Sequence, residues 1–512
     1  MSSGSVEHRA AKVSLVTGGS TILSIILQLV SVPVCLHSWG AQRYGAWLAI
    51  FAASTLMRTV DGGYITYAGN RLNLLYHQDR QALREVLAAG CLGLGVLGLL
   101  QLVLLFLVMM FDGLGWLLGD ATLAGSSNAR AALVVLVVSW VLSGSYLGLV
   151  HRLMVPAGLL YESAWWSMAF QVLVFVAIMF AAIFRLDLLG TSMLVAGLQA
   201  GIYFASALYV RWKLPEFFPW WRAPKWRLAA TDLRGSLVFT FSGFMQQVAS
   251  NGMVLLVSAV LGAAVVPAFT TVRTMANLWT NVTTTLTSPL LPDMVRLHAT
   301  HQAGKLMMLA KAHMWLMGTL VNLCILVSLP FLPWVYGVWT RGVLDLDARL
   351  LMGLLGGILL ANAGSFMYTY LTGINHVRSV LAVALLRGLV SLIVAWLLLP
   401  GMGLPAAGIG IMAAEAICFM VVAGCYFPQA LRRTGNLVRS FSSMGWPLVG
   451  LVATLALLGA SMALAHVPTI PLLLAIVLVL LSSWQGWKSI DEMVRQRLLG
   501  LGMRFVPFGR AG

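Results

Sequence analysis

Charged residues are scarce in this sequence of 512 residues: only 9% are Asp, Glu, Lys or Arg, against 60% hydrophobic residues. The mean hydropathy is +0.90. A water-soluble domain of this length has no core large enough to bury so much apolar surface. The composition therefore excludes a soluble globular protein and predicts a polytopic membrane protein.

Acidic residues and cysteines are also few. The chain has 16 Asp and Glu against 32 Lys and Arg, which gives a formal net charge of +16. The Lys and Arg lie in short segments between apolar runs, where orientation signals lie, so nucleic acid is not an expected partner. The five cysteines lack the spacing of metal ligands, and no nucleotide-binding loop or catalytic triad is recognisable. We therefore expect no cofactor, no metal and no enzymatic activity.

Long apolar runs dominate what remains. An α-helix rises about 1.5 Å per residue, so about 20 apolar residues cross a bilayer core of about 30 Å. Fourteen runs meet this length, and they predict an all-α polytopic protein. They lie at about 13–36, 44–68, 86–111, 129–150, 163–184, 188–210, 235–261, 267–291, 307–336, 350–372, 379–399, 405–427, 446–465 and 468–488.

The loops between these runs define an orientation. With the N-terminus in the cytoplasm, roughly two dozen Lys and Arg lie on the inner side and about five on the outer side, as the positive-inside rule requires. The outer five are Arg43, Arg130, Arg185, Arg341 and Arg349. Both termini are therefore predicted to be cytoplasmic.

An internal repeat predicts the domain organisation. A shift of 222 residues places Gly40 on Gly262, Trp47 on Phe269 and Tyr146 on Tyr368. We expect two six-helix lobes related in parallel, with a substrate site between them near mid-membrane. The predicted boundaries are 1–212 for the N-terminal lobe, 213–234 for a basic, Trp-rich cytoplasmic linker, 235–428 for the C-terminal lobe, and 429–512 for two extra transmembrane helices and a basic cytoplasmic tail.

The linker has two interpretations. Trp side chains at headgroup level and Lys or Arg near anionic lipid are typical of an interfacial segment. The same composition would also suit capture of an anionic, lipid-linked substrate near its entry point.

Ionisable residues inside apolar runs are costly unless they face protein or water, so they are candidate functional residues. Arg58 and Asp61 are three residues apart on one helical face and can pair with each other or face a cavity. Arg387 and Glu415 lie at similar depth on successive spans. They form either a structural ion pair or a site where Glu415 couples transport to a proton or another cation.

Uncharged polar residues cluster in the first, seventh and eighth spans. Arg273 lies in an eighth span rich in Thr, whose hydroxyls either bond their own helix or line a hydrophilic path suited to sugar hydroxyls. The candidate substrate-binding residues are Arg58, Arg273, Arg387, Gln28, Gln246, Gln247, Asn251 and Asn277. The candidate ion-coupling residues are Glu415 and Asp61.

Several short motifs carry a family resemblance. They are WGAQRYGAW at 39–47, Asp61-Gly62-Gly63, Asn70-Arg71, Leu371-Thr372-Gly373 and GMGLPAAG at 401–408. With these motifs and its span count, the chain resembles the polysaccharide and O-antigen flippases (Wzx-like) of the multidrug/oligosaccharidyl-lipid/polysaccharide (MOP) exporter superfamily.

The resemblance implies two six-helix lobes around a central cavity and transport by alternating access. The implied substrate is an undecaprenyl-diphosphate-linked oligosaccharide, moved from the cytoplasmic to the periplasmic leaflet of the bacterial inner membrane for surface polysaccharide synthesis. Cavity cations would meet the diphosphate, and Arg58, Arg273 and Arg387 are the candidates. The implied partners are this substrate, the bilayer, and a polysaccharide polymerase with its chain-length machinery.

The sequence departs from related transporters in two respects, and there are two alternative functions. The first span has no Arg or Lys, unlike the lipid II flippase branch, and no acidic residue like that of cation-coupled drug exporters. The first rival is a cation-coupled multidrug exporter of the same fold, with Glu415 as its ion site. The second is a membrane-embedded glycan polymerase or ligase, which would be expected to have a large outer loop; the outer loops here are short.

Overall fold

The computed structural model describes residues 3–76, 78–118, 127–287, 290–374, 376–432, 445–464 and 466–489. These residues form 14 long helices, joined by shorter helices and turns, and within them there is no β-strand. The long helices are α1 (3–39), α2 (41–75), α3 (Arg80–Met110), α4 (Ser127–Met154), α5 (Leu160–Ile183), α6 (Leu188–Lys213), α7 (Trp226–Leu261), α8 (Val266–Thr287), α9 (Ala303–Ser328), α10 (Ala348–Gly373), α11 (Val377–Met402), α12 (Pro405–Arg432), α13 (Gly445–Leu464) and α14 (Thr469–Ser489).

By length and apolar composition, 11 helical segments of the described chain can each cross a membrane. The segment Leu23–Leu75 counts once among them, although it contains two helices. Helix α8 is too polar to be included, and α13 contributes a shorter apolar stretch, Leu448–Leu464. The predicted all-α polytopic fold is thus confirmed.

Two glycines break the helices at corresponding points of the predicted repeat. Gly40 (φ 72°, ψ 171°) separates α1 from α2, and Gly262 (φ 89°, ψ 157°) separates α7 from α8. Only glycine adopts this region of backbone space without strain. Trp47 and Phe269, seven residues further on in each case, are both fully buried. Local conformation and burial therefore repeat with the shift of 222 residues.

The chain divides into two compact units. The first comprises Met1–Thr274, Gly337–Asp345 and Trp396–Leu404, and the second comprises Met275–Tyr336, Leu346–Ala395 and Pro405–Gly512. The lobe boundaries at 212 and 235, taken from the sequence, stay a prediction.

Small residues allow close helix packing in the first unit. A Cβ on Gly63 of α2 would collide with the backbone of Thr240 on α7, and one on Gly235 of α7 would collide with the Tyr67 ring. A Cβ on Gly45 would meet the carbonyl of Ala263, in the turn before α8. Helices in a membrane gain stability from such close backbone approach.

The basic, Trp-rich segment is folded against the first unit. Phe217 and Trp220 are buried in the same apolar cluster as Leu72 and Leu87. Trp221 and Trp226 are instead 58% and 56% exposed. The exposed indoles beside Arg and Lys have the arrangement expected of an interfacial segment.

Helix α10 forms the centre of the second unit. Most residues of its apolar stretch are buried inside the protein. A Cβ on Gly353 would lie 2.8 Å from the backbone of Gly408 on α12, so the glycines let the two backbones approach closely. Phe366, Tyr370 and Phe427 pack together at one end of this interface.

Candidate functional site

Arg58 projects from α2 into the interior of the first unit. Its Nη1 donates to Oε1 of Gln199 on α6 at 3.0 Å, and its Nη2 donates to the carbonyl of Leu136 on α4 at 3.2 Å. The guanidinium carbon lies 5.2 Å from the ring centroid of Trp140, a cation–π distance. All three partners are neutral, so the cation is held without a carboxylate bonded to it.

Asp61 lies one turn further along α2 and is completely buried. Its Oδ2 accepts a hydrogen bond of 3.0 Å from Nε1 of Trp140. The direct Arg58–Asp61 pair that the sequence allowed does not form; the indole of Trp140 touches both side chains instead. Arg58 bonds Gln199 on α6 and the Leu136 carbonyl on α4, whereas Asp61 bonds only Trp140 among the hydrogen bonds of ordinary geometry.

A cavity of about 580 Å³ adjoins this arrangement within the first unit. Its volume lies in the range of small-molecule binding sites. Its walls combine aromatic rings with hydroxyl, amide and basic groups, and include Trp140, Trp166, Phe170 and Tyr203 together with His151, Arg152, Ser163, Ser167, Gln171 and Ser206.

Arg152 gives the cavity its positive charge, and His151 adds an imidazole to its wall. His151 Nε2 and the Ser163 hydroxyl lie 2.9 Å apart. The Arg152 guanidinium forms no salt bridge within the described part of the chain, and its aliphatic stem packs at Gly69. An unpaired guanidinium beside aromatic faces and hydroxyls can bind a phosphate or carboxylate by charge-assisted hydrogen bonds.

Arg387 and Glu415 pair within the second unit, across α11 and α12. Arg387 Nε and Nη2 donate to the two carboxylate oxygens of Glu415 at 2.5 and 2.8 Å. The contact expected from their similar depth is therefore present. The guanidinium also lies 5.7 Å from the Tyr368 ring centroid, so Arg387 is held on two sides.

Arg273 and its neighbours form a third polar region, where α7 and α8 meet. Arg273 Nη1 donates to the Ser250 carbonyl at 2.6 Å and lies over the Phe269 ring at 5.2 Å. Asn251 Nδ2 donates to Gln247 Oε1 at 2.6 Å. The hydroxyls of Thr270, Thr271, Thr274, Thr283 and Thr287 donate to carbonyls of their own helix. For these five residues, the alternative of bonds within the helix is the one observed.

The remaining predicted substrate-binding residues have exposed side chains. Gln28, Gln246 and Asn277 are exposed, on α1, α7 and α8. The sequence did not indicate Trp140, Gln199, Gln101, Ser145, Tyr203 or the cavity residues His151 and Arg152. Gln101 and Gln199 did carry a signal, because an amide isolated in an apolar run must face protein or water. Arg152 was assigned to an inner loop and carried no separate signal.

No protein-family model matches the sequence, and no curated protein matches it. Solved structures do match. The lipid II flippase MurJ, in an inward closed conformation, aligns with a TM-score of 0.63 and 12% identity over 94% of this chain and 99% of that chain. An inward-facing multidrug resistance MATE family transporter of the MOP superfamily aligns with a TM-score of 0.60 and 13% identity, over 80% and 95% of the two chains.

A third structure, a mutant of the Vibrio cholerae MATE transporter VcmN, aligns with a TM-score of 0.56 and 16% identity over 84% and 98% of the two chains. At such identities the likeness establishes the fold. The chain is a multi-pass membrane protein with the fold of MOP-superfamily transporters, as its motifs predicted.

Proposed function

We propose that the protein is a flippase for a lipid-linked glycan. It would move an undecaprenyl-diphosphate-linked oligosaccharide from the cytoplasmic to the periplasmic leaflet of the bacterial inner membrane by alternating access, in O-antigen or other surface polysaccharide synthesis. It would act as a secondary transporter and not as an enzyme. Both termini would be cytoplasmic, which places Arg152 near the side where such a substrate is made.

The cavity of the first unit is the observation that carries this proposal. A glycan offers hydroxyls and apolar ring faces, and its diphosphate offers negative charge. The cavity supplies hydroxyl and amide partners, the aromatic rings of Trp166 and Phe170, and the unpaired cation Arg152. A pathway for acyl chains alone would not need these polar groups at membrane depth, where each is costly unless it serves a ligand or a neighbour.

Three arginines have distinct roles in this proposal. Arg58 and Arg273 are bonded to neutral groups and can exchange them for phosphate oxygens as the transporter changes conformation. Arg387 is already neutralised by Glu415, so it would meet an anion only if that pair opened. Gln28, Gln246, Gln247, Asn251 and Asn277 remain proposed partners for sugar hydroxyls.

The test is a deletion in the source bacterium, complemented by variants. We expect the deletion to remove surface glycan and to leave intact lipid-linked units on the cytoplasmic leaflet, measured by sidedness labelling. Arg152→Ala should restore little flipping. Arg152→Lys should restore more, because it keeps the positive charge, but not all, because it loses the paired N–H donors of the guanidinium. The control is Arg80→Ala, an exposed arginine paired with Glu216 outside the cavity, which should complement fully.

A second function, cation-coupled multidrug export, is favoured by one observation: a matching structure is that of a multidrug resistance transporter of this fold. Normal surface glycan in the deletion strain, together with increased sensitivity to cationic drugs, would replace the flippase proposal by this one.

A further inference from the structure

The Trp140 ring lies at one end of the cavity in the first unit. On α4 the cavity wall runs from Trp140 to Val155, and the rise of an α-helix places Trp140 about 18 Å from Arg152 along this wall. Arg58 and Asp61 are not among the residues of the described chain that line the cavity, but both contact the Trp140 ring. The ring therefore lies between the cavity and Arg58.

The first unit holds two guanidinium groups at different depths. The aliphatic stem of Arg152 packs at Gly69 on α2, where its Cδ lies 3.3 Å from the position of a Cβ. Arg58 precedes Gly69 by about 16 Å along the same helix. The separations along α2 and α4 thus agree, and they place Arg58 behind Trp140, at the end of the cavity opposite Arg152. An anion bound at Arg152 has to pass the indole to reach Arg58.

Gly144 leaves the space that the Trp140 ring occupies. The two residues are the ends of a π-helical turn in α4, Trp140–Gly144, and such turns are frequent at functional sites. A Cβ on Gly144 would lie 2.3 Å from Cε3 of Trp140, closer than two such atoms approach. Long side chains of helices usually turn back over the preceding turn, whereas this ring lies over the following one. A residue with a side chain at 144 would displace the ring.

Few contacts hold the ring in place. Its face meets the Arg58 guanidinium, its N–H donates to Asp61, and Tyr203 packs edge-on with 5.8 Å between the ring centroids. An anion at Arg58 would form charge-assisted hydrogen bonds, which are stronger than a cation–π contact. Binding of an anion can therefore offset the loss of the contact between the ring and Arg58.

We propose that the Trp140 ring is a gate between the cavity and Arg58, and that Gly144 is the positioning residue that sets its closed position. With the gate closed, an anion in the cavity contacts Arg152. When the ring is displaced, the guanidinium of Arg58 becomes accessible to the same anion. Transfer of a diphosphate from Arg152 to Arg58 rests on the proposed function, whereas the position of the ring over Gly144 does not.

Binding of inorganic pyrophosphate to the purified full-length protein, measured by calorimetry, tests the gate. We expect binding to the wild type to require Arg152 and to change little in Arg58→Gln, which removes the charge and keeps an amide for hydrogen bonding. In the Trp140→Ala background, Arg58→Gln should weaken binding about tenfold, because a charge-assisted contact is then lost.

Gly144→Ala tests the position of the ring. Its methyl group displaces the indole, so we expect pyrophosphate binding to depend on Arg58 as it does in Trp140→Ala. It should also lower the thermal unfolding midpoint of the wild type but not that of Trp140→Ala, where no ring is left to displace. Gly148→Ala is the matched control and should change neither quantity. Gly148 lines the same cavity, and its Cβ would meet Ile65 at an ordinary distance of 3.7 Å.

Two outcomes would overturn the proposal. One is that Arg58→Gln has the same effect on pyrophosphate binding with and without the Trp140 ring, or that neither form binds pyrophosphate. The other is an equal change of the unfolding midpoint in Gly144→Ala and Gly148→Ala.

The deletion strain separates the gate from the proposed function. Normal surface glycan, together with Arg58-dependent binding in Trp140→Ala, would retain the gate and reject the flippase function. Loss of surface glycan, together with binding that never depends on Arg58, would reject the gate and retain the flippase function.

Discussion

Arg58 and Asp61 are joined by a single indole: the Trp140 ring lies 5.2 Å from the guanidinium carbon of Arg58, and its Nε1 donates to Asp61 Oδ2 at 3.0 Å. The two ionisable side chains therefore share one aromatic neighbour on α4. Arg58 contacts the face of the Trp140 ring, and Asp61 accepts from the N–H group at its edge.

Trp140→Phe separates these two contacts. Phenylalanine keeps an aromatic face for Arg58 but removes the hydrogen bond to Asp61. We expect the pH profile of flipping to move, because Asp61 loses a hydrogen bond that stabilises its ionised form, while the protein stays folded. An unchanged pH profile in Trp140→Phe would show that the hydrogen bond from the indole N–H to Asp61 does not affect transport.

The Arg387–Glu415 pair predicts a non-additive loss of stability. Breaking a buried ion pair from one side costs about 3–5 kcal/mol, because the other charge is left unpaired. We expect Glu415→Leu and Arg387→Met each to lower the thermal unfolding midpoint in detergent, and the double variant to recover much of the loss. Equal and additive losses would mean that the two residues act independently.

Gly62 and Gly63 are adjacent on α2, but the space around the two glycines differs. A Cβ on Gly62 meets nothing within 4 Å, whereas one on Gly63 collides with the backbone of Thr240. Gly63→Ala should therefore push α2 from α7 and destabilise the protein. Gly62→Ala should be neutral or stabilising by up to about 1 kcal/mol, because alanine is the better helix former. Thermal unfolding of the two variants side by side checks the difference.

Gly40 and Gly262, which separate helices at positive φ, should not tolerate alanine without a loss of stability. Alanine at their positive φ should cost about 1–3 kcal/mol at each site, although neither Cβ meets an atom within 4 Å. Gly243, in the interior of α7 with open space around it, is the control, and Gly243→Ala should not destabilise. Equal unfolding midpoints for Gly40→Ala and Gly243→Ala would contradict the assignment of strain.

The sequence by itself determined that this is an all-α membrane protein, and its fourteen apolar runs correspond to the fourteen long helices of the described residues. Apolar length alone decides whether a segment can cross a bilayer, and charge at the loops predicts its direction. The repeat also identified Gly40 and Gly262 as equivalent positions. Both adopt a backbone conformation that only glycine tolerates, so the glycine itself marks the position in the sequence.

Only the tertiary structure decided which partner each buried charge has. The spacing of Arg58 and Asp61 allowed a direct pair, but packing placed Trp140 of another helix between them. Gln199, which accepts a hydrogen bond from Arg58, comes from a further helix, α6, and nothing in the sequence links it to Arg58. Hydrophobic length is a property of one segment, whereas the environment of a buried carboxyl depends on the packing of three or four segments far apart in the chain.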